Sequence, residues 1–353
     1  MTDLAELTTL RVGGPAREYV RATTEAEIIA AISEADAAGT PVLVIGGGSN
    51  LVAPDSGFDG LVVSDARAEI RVQDDGFCGG VSVTATAGLT WDTLVERAVT
   101  DGWVGLEALS GIPGSVGAAP VQNIGAYGAQ LSDTFASVRT WDRAEGRVRT
   151  LMMIQLQFGY RDSLLKRSLG EHGPTPRYVV LDATAQMRFG TRSAPVRYQQ
   201  LADALGVEIG GTASTAAVRE AVLALRASKG MVLDAADHDT WSVGSFFMNP
   251  VVPSAEVPEG APRYPASGNA DAVKTSAAWL IENAGFGKGF ALPGSGAALS
   301  GKHTLAITNR GGATAADVTA LARHVRDGVR AAYGIELTPE PLVLGAQREL
   351  GLV

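Results

Sequence analysis

Between Ser110 and Gly128 the chain reads Ser110-Gly111-Ile112-Pro113-Gly114-Ser115-Val116-Gly117-Ala118-Ala119-Pro120, then Gln122-Asn123-Ile124-Gly125-Ala126-Tyr127-Gly128. Small residues dominate, so the stretch reads as a tight loop packed against a sheet, with main chain able to approach a neighbour closely. From these residues alone the loop serves either packing or a ligand. A second cluster, Val42-Leu43-Val44-Ile45-Gly46-Gly47-Gly48-Ser49-Asn50, sets three glycines directly behind a strand-like run. Bare N–H groups at a strand end suit a pyrophosphate. This is not the Gly-x-Gly-x-x-Gly dinucleotide fingerprint, because Leu51 stands where the third glycine belongs and no helix opens there. A third cluster, Gly296 to Gly301 followed by Lys302 and His303, approaches a P-loop. His303 occupies the Ser/Thr position that would hold magnesium, and glycine-rich loop rather than a strand precedes it.

A chain of 353 residues is long enough for two or three domains. With 46% hydrophobic and 19% charged residues and no low-complexity tract, it belongs with globular proteins. The 29 Lys and Arg against 38 Asp and Glu leave a net charge of -9, with basic residues scattered singly. Such a surface repels a nucleic-acid backbone. No apolar run reaches the ~18 residues needed to span a bilayer, so membrane insertion is not expected. The start Met1-Thr2-Asp3-Leu4 lacks the basic and apolar regions of a signal peptide. A cytoplasmic location is the expectation. The single cysteine, Cys78, cannot form an internal disulfide, which agrees with a reducing compartment, and beside Gly79-Gly80 it reads as a bystander rather than a nucleophile.

Thr24 to Ala38 carries Ile28, Ile29 and Ile32 at helical spacing and ends at Gly39, and Pro41 to Ile45 follows as a buried strand. Val81, Val83 and Ala85 alternate like a strand, after which Trp91, Leu94, Val95 and Ala98 share a helical face closed by Gly102. Val138 to Trp141 and Val148 to Met152 flank a turn at Arg143 to Gly146, and Tyr178 to Met187 supplies another strand. Residues 215–228 and 314–333 read as long amphipathic helices, and Ser254 to Gly268 as surface loop. There is no internal repeat.

The glycine clusters at Gly46 to Asn50 and Gly111 to Gly128 resemble the FAD-binding signature of vanillyl-alcohol-oxidase-type flavoproteins, in the version found in UDP-N-acetylenolpyruvoylglucosamine reductases. The likeness spans nearly the whole chain. It includes Thr9-Leu10-Arg11-Val12-Gly13-Gly14-Pro15, Phe158-Gly159-Tyr160-Arg161-Asp162-Ser163 and Gly244-Ser245-Phe246-Phe247-Met248-Asn249-Pro250, then Ala278-Trp279-Leu280-Ile281-Glu282 and Leu337-Thr338-Pro339-Glu340-Pro341. The resemblance implies an α+β fold: an FAD-binding domain over residues 1–190 in two α+β subdomains split near 65, and a connecting segment over 191–214 with a tyrosine loop. A C-terminal α+β substrate-binding domain over 215–335 and a last strand over 336–353 that returns to the active site complete it. FAD is expected at Gly46, Gly47, Gly48, Ser49 and Asn50, at Ser110 to Ser115, Gly117 and Ala118, and at Gln122, Asn123, Ile124, Gly125, Ala126, Tyr127 and Gly128. Neither cluster holds a His or Cys, so the FAD is expected to be noncovalent.

The reaction implied is a two-step relay in which NADPH reduces FAD and hydride then passes to the enolpyruvyl group of a UDP-sugar, in peptidoglycan precursor synthesis. By similarity, Arg161 and Glu340 line the enolpyruvyl carboxylate and Ser245 protonates the adjacent carbon. Outside that motif context Arg161 could be a surface ion-pair partner of Asp162, Glu340 could charge an exposed strand end, and Ser245 could be a turn serine. Substrate contacts are expected at Tyr198, Lys229, Asn249, Tyr264, Lys274 and Lys288, whose residue types match a diphosphate and a uracil ring. For Lys274 and Lys288, solvated surface positions remain an equal alternative.

After Lys229 the chain departs from the family's Leu-Pro-Asp-Pro: Gly230-Met231-Val232-Leu233-Asp234 follows, and the segment before Ser245 is longer. Asp237-His238-Asp239 lies in that insert, but three adjacent residues do not easily converge on one ion, and no metal is expected. Two other functions stay open: an FAD-dependent sugar or alcohol oxidase on the same scaffold, and a non-catalytic UDP-sugar-binding protein.

Overall fold

The computed structural model describes residues 2–73, 80–266 and 271–345; Cys78 and the end of the segment read as loop at Ser254 to Gly268 lie outside the described residues. The chain packs as two compact units. Residues 16–47 and 59–228 make the first, and residues 2–15, 48–58 and 229–353 the second. This division by packing does not follow the expected segment boundaries: the helix Thr215–Ser228 sits in the first unit.

In the first unit the helix expected over Thr24 to Ala38 runs Glu25–Ala37. A capping box starts it: Glu27 N–H donates to Thr24 Oγ1 at 3.2 Å and the Glu27 carboxylate takes the Thr24 N–H. Ile28, Ile32 and Ala35 are buried with Ala22, Val42, Leu61 and Val63 of a three-stranded sheet, ordered Ala16–Ala22, Phe58–Asp65, Val42–Ile45. Val42–Ile45 and Phe58–Asp65 run parallel, with Val42 opposite Leu61. Strand ends of a parallel pair point one way, and Gly46 follows directly.

A larger antiparallel sheet follows, in the order Arg147–Met152, Phe135–Asp142, Tyr178–Phe189, Gly80–Thr86, Ile70–Gln73. The expected hairpin is present, with Asp142 opposite Arg147. Trp91, Leu94, Val95 and Ala98 of the helix Trp91–Thr100 bury against this sheet with Val81, Val83 and Ala85. Each large apolar side chain so buried contributes about 1.5–3 kcal/mol. The helix Thr215–Ser228 closes a smaller core in which Val218 and Val222 meet Val196, Leu201 and Ala202.

The second unit is centred on the helix Ala315–Tyr333, which buries Val318, Leu321, Ala322, Val325 and Val329 among Phe246, Phe247, Leu280 and Ile281. Thr314 and Asp317 form its capping box, and Asp55 adds a second acceptor for the Ala315 and Ala316 N–H groups at 2.7 and 3.0 Å. Part of the segment read as loop is a strand: Arg263–Pro265 pairs with Ala272–Thr275, which pairs in turn with Val251–Pro253. Pro253 and Pro265 are tolerated because both flanking strands are outermost, so a missing N–H breaks no inner ladder.

Candidate active site

In the first unit Gly46 and Gly47 closely approach the second glycine cluster. A Cβ on Gly47 would stand 2.8 Å from Gly114 Cα, so that position admits no side chain, and one on Gly46 would stand 2.4 Å from Ser115 Oγ. The second cluster is pinned at several points. Gly114 O accepts from Trp91 N–H at 3.0 Å, and the N–H groups of Val116 and Gly117 donate to Leu89 O and Ala87 O. Gly111 N–H donates to Asp92 Oδ1 at 2.6 Å. Asp92 in turn receives both terminal nitrogens of Arg219 at 2.7 and 2.8 Å, the bidentate geometry of a strong ion pair. Burial opposes ionisation of Asp92, but Arg219 and the Gly111 N–H outweigh it and hold the carboxyl below its usual range.

Arg226, seven residues beyond Arg219 on the same helix, donates from Nε to Gly111 O at 3.1 Å. Burial lowers its pKa, an effect partly offset by Tyr127 and Asp92. A cation is thereby set at the main chain of the glycine loop. The Tyr127 ring meets the Tyr198 ring edge-on at 5.6 Å, and burial raises the Tyr127 pKa.

Arg161 reaches the same loop. Its Nη2 donates to Gly125 O at 2.7 Å and its Nη1 to Asn123 O at 3.4 Å, while Lys166 Nζ holds the Arg161 carbonyl at 3.0 Å. The ion-pair alternative is not what the structure shows, since Asp162 pairs with Arg167. Asn123 ties the two segments together, donating to Gly159 O at 3.1 Å and accepting from Ser132 N–H at 3.1 Å. Asn123, Tyr127 and Arg161 all hold positive φ, at 45°, 49° and 53°. Such backbone costs about 1–3 kcal/mol per residue and is found where surrounding contacts over-determine it, as at ligand sites.

In the second unit a hydrogen-bonded strip joins three candidates. Phe247 and Pro339 form an antiparallel bridge, in which Glu340 N–H donates to Phe246 O at 2.9 Å and Met248 N–H to Thr338 O at 2.9 Å. Glu340 therefore lies opposite Phe246, the neighbour of Ser245. On its other side the same stretch pairs in parallel with the end of the first glycine cluster: Leu342 N–H donates to Asn50 O at 3.0 Å, and Asn50 Nδ2 reaches Glu340 O at 3.4 Å. Ser245 follows Gly244, whose φ of 76° suits glycine, and precedes the buried, edge-packed rings of Phe246 and Phe247. Ser245 itself is half-buried.

Among the expected substrate contacts, Lys229 and Lys288 both act on His303, with Glu282 as the opposing charge. Burial, Lys229 and Lys288 together push the His303 pKa down to about 4. Tyr264 stands directly across from Lys274 on paired strands. Asn249 Oδ1 accepts from Ala277 N–H at 3.0 Å, which fixes the start of the helix Ala277–Asn283. Tyr198 and Arg161 belong to the first unit, and the other expected substrate residues, with Ser245 and Glu340, to the second.

Sequence reading did not single out Asp92, Arg219 or Arg226, and met His303 only as a departure from a P-loop. The arginines carried a signal, because 219 and 226 recur at a heptad spacing beside the apolar stripe of Val218, Val222 and Leu225. Among the described residues there is no group of three His, Cys, Asp or Glu side chains able to hold a metal, and no helix is long and apolar enough to cross a membrane. The first unit's donor set fits FAD: glycine main chain in close approach, with an arginine beside it for negative charge.

Comparison with known proteins agrees with that fit. Residues 16–152 match an FAD binding domain family, and residues 236–344 match the family described as UDP-N-acetylenolpyruvoylglucosamine reductase, C-terminal domain. UDP-N-acetylenolpyruvoylglucosamine reductase of Cutibacterium acnes is 54% identical over 343 residues, covering 97% of this chain and 89% of that protein. The Nocardia farcinica protein of the same name is 52% identical over 98% of this chain and 89% of its own length. The crystal structure of UDP-N-acetylenolpyruvylglucosamine reductase from Thermus caldophilus superposes with a TM-score of 0.63 at 25% identity, covering 97% of each chain.

Proposed function

The chain belongs to the UDP-N-acetylenolpyruvoylglucosamine reductase family, and on that premise we propose how its own residues carry the reaction. It is an FAD-dependent oxidoreductase of peptidoglycan precursor synthesis, reducing the enolpyruvyl group of UDP-N-acetylglucosamine enolpyruvate to UDP-N-acetylmuramate at the expense of NADPH. The reading extends to noncovalent FAD and to action in the cytoplasm, where NADPH and nucleotide sugars are available.

Bound FAD supplies the hydride, taken beforehand from NADPH. The chain's residues do the rest. Main chain at Gly46 to Asn50 and at Ser110 to Gly128 cradles the cofactor, with Arg226 as the cation beside Gly111. Arg161 and Glu340 line the enolpyruvyl carboxylate, so that negative charge arriving with hydride at one vinyl carbon is met by the Arg161 guanidinium as it spreads into the carboxylate. Ser245 Oγ gives its proton to the adjacent carbon and regains one from water. A serine hydroxyl is a weak acid, but a carbanionic centre is a strong base, and Ser245 stands half-buried next to the buried Phe246 and Phe247. Lys229 and Lys288 face the diphosphate, and Tyr198, Asn249, Tyr264 and Lys274 complete the substrate's contacts.

One observation carries this division of labour: the strip in which Asn50, Glu340 and Phe246 are hydrogen-bonded in sequence, with Ser245 next in the chain. It supports a cofactor loop, a carboxylate and a proton donor serving one reacting group. Purified protein is expected to be yellow, to bleach with NADPH and to regain colour when the enolpyruvyl UDP-sugar is added. Acid precipitation is expected to release all the flavin. A protein that bleaches and recovers only with oxygen would be an oxidase instead.

A further inference from the structure

The insert between Lys229 and Ser245 is fastened at its far end. Asp239 Oδ1 accepts from Gly301 N–H at 2.8 Å, Ser300 Oγ at 3.1 Å and Arg310 Nη1 at 2.7 Å. Lys302 Nζ adds a bond to Asp237 at 2.5 Å. The His238 ring lies against Gly311, where a Cβ would stand 2.7 Å from it, and packs 4.2 Å from the Trp241 ring. Arg11 stacks on that indole at 3.8 Å.

From this anchor both ends of the insert are determined. Toward Lys229, the main chain at Gly230, with φ of 68°, passes so close to Asp239 O that a Cβ there would stand 2.7 Å away. Toward Ser245, Asn309 N–H holds Trp241 O at 3.0 Å, Thr9 Oγ1 holds Ser242 O at 2.6 Å, and Ser242 Oγ accepts from Gly244 N–H at 3.1 Å. No free length remains between Asp239 and the turn that presents Ser245.

We propose that Asp239 is a positioning residue that anchors the insert to the Ser300–Arg310 turn and so fixes Lys229 and Ser245 relative to one another. The substrate, gripped at its diphosphate by Lys229, then presents its vinyl carbon to Ser245 Oγ in one register. This rests on the reading that Ser245 is the proton donor. A misplacement of about 1 Å at a reacting centre costs up to about 100-fold in rate, so a loosened anchor shows in the step that uses both residues and not in the step that uses neither.

The test compares the two half-reactions by stopped-flow absorbance in the FAD-loaded wild type, Asp239→Ala and Asp239→Asn. Asp239→Ala is expected to slow flavin reoxidation by the enolpyruvyl substrate by about 10- to 100-fold, with reduction by NADPH within about 2-fold of wild type. Asp239→Asn keeps an oxygen for Gly301 N–H and Ser300 Oγ while losing the charge opposite Arg310, and should fall between the two. If the alanine variant does not fold, the same split in the asparagine variant decides. Equal slowing of both half-reactions, or no change in either, would overturn the inference. A wild type that NADPH bleaches but the substrate does not reoxidise would overturn the underlying reading instead.

Discussion

Arg161 shows what a single residue's geometry adds to its motif. The guanidinium fork is turned onto Gly125 O and Asn123 O, and the backbone beneath it is held at positive φ by neighbours that are themselves tied together. A planar fork suits the proposed role because it carries several N–H donors in a fixed geometry, enough both to fix its orientation and to pair with a carboxylate. Lysine keeps the charge but not the fork. Arg161→Lys is therefore expected to slow flavin reoxidation by substrate by at least about 10-fold, the loss of one well-placed charge-assisted hydrogen bond. Single-turnover kinetics with pre-reduced enzyme measure it, and a wild-type rate would remove Arg161 from the reacting carboxylate. The roles proposed for Arg161, Ser245 and Glu340 rest on their motifs, because nothing in the spacing of positions so far apart says what they meet. Asp92 carried no motif and Asp239 only the pattern Asp237-His238-Asp239, and their acceptor roles emerge only from the folded main chain.

At the scale of elements, periodicity identified the long pieces and missed the short ones. The helices Thr215–Ser228 and Ala315–Tyr333 repeat their apolar stripe over several turns, whereas Arg263–Pro265 is an exposed edge strand too short to show alternation. What periodicity did not say is where the helix Thr215–Ser228 docks. Its polar edge supplies Arg219 to Asp92, and Asp92 holds the Gly111 N–H of the cofactor loop. Asp92→Ala leaves a half-buried arginine and a loop amide without their carboxylate, which should cost about 2 kcal/mol of stability. Since the amide belongs to the cofactor loop, FAD affinity should weaken as well, by about 10-fold or more. Denaturant melts and flavin fluorescence titration give the two values. A variant that loses stability but binds FAD as tightly as wild type would show that the ion pair serves packing alone.

For the whole molecule, the chain builds two compact units from interleaved segments. Ser110 to Gly128 and Arg161 belong to the first, and Ser245, Glu340, Lys229 and Lys288 to the second. The relay is two steps, and on the proposed assignment Ser245 takes part in only one of them. The most direct measurement is stopped-flow absorbance of each half-reaction in Ser245→Ala. The cofactor cradle is untouched by this change, so NADPH should bleach the flavin at close to the wild-type rate, while reoxidation by the enolpyruvyl substrate should slow by about 100-fold or more, as expected for loss of a positioned acid. Equal slowing of the two steps would contradict the assignment and make Ser245 a support of the fold or the flavin rather than the proton donor.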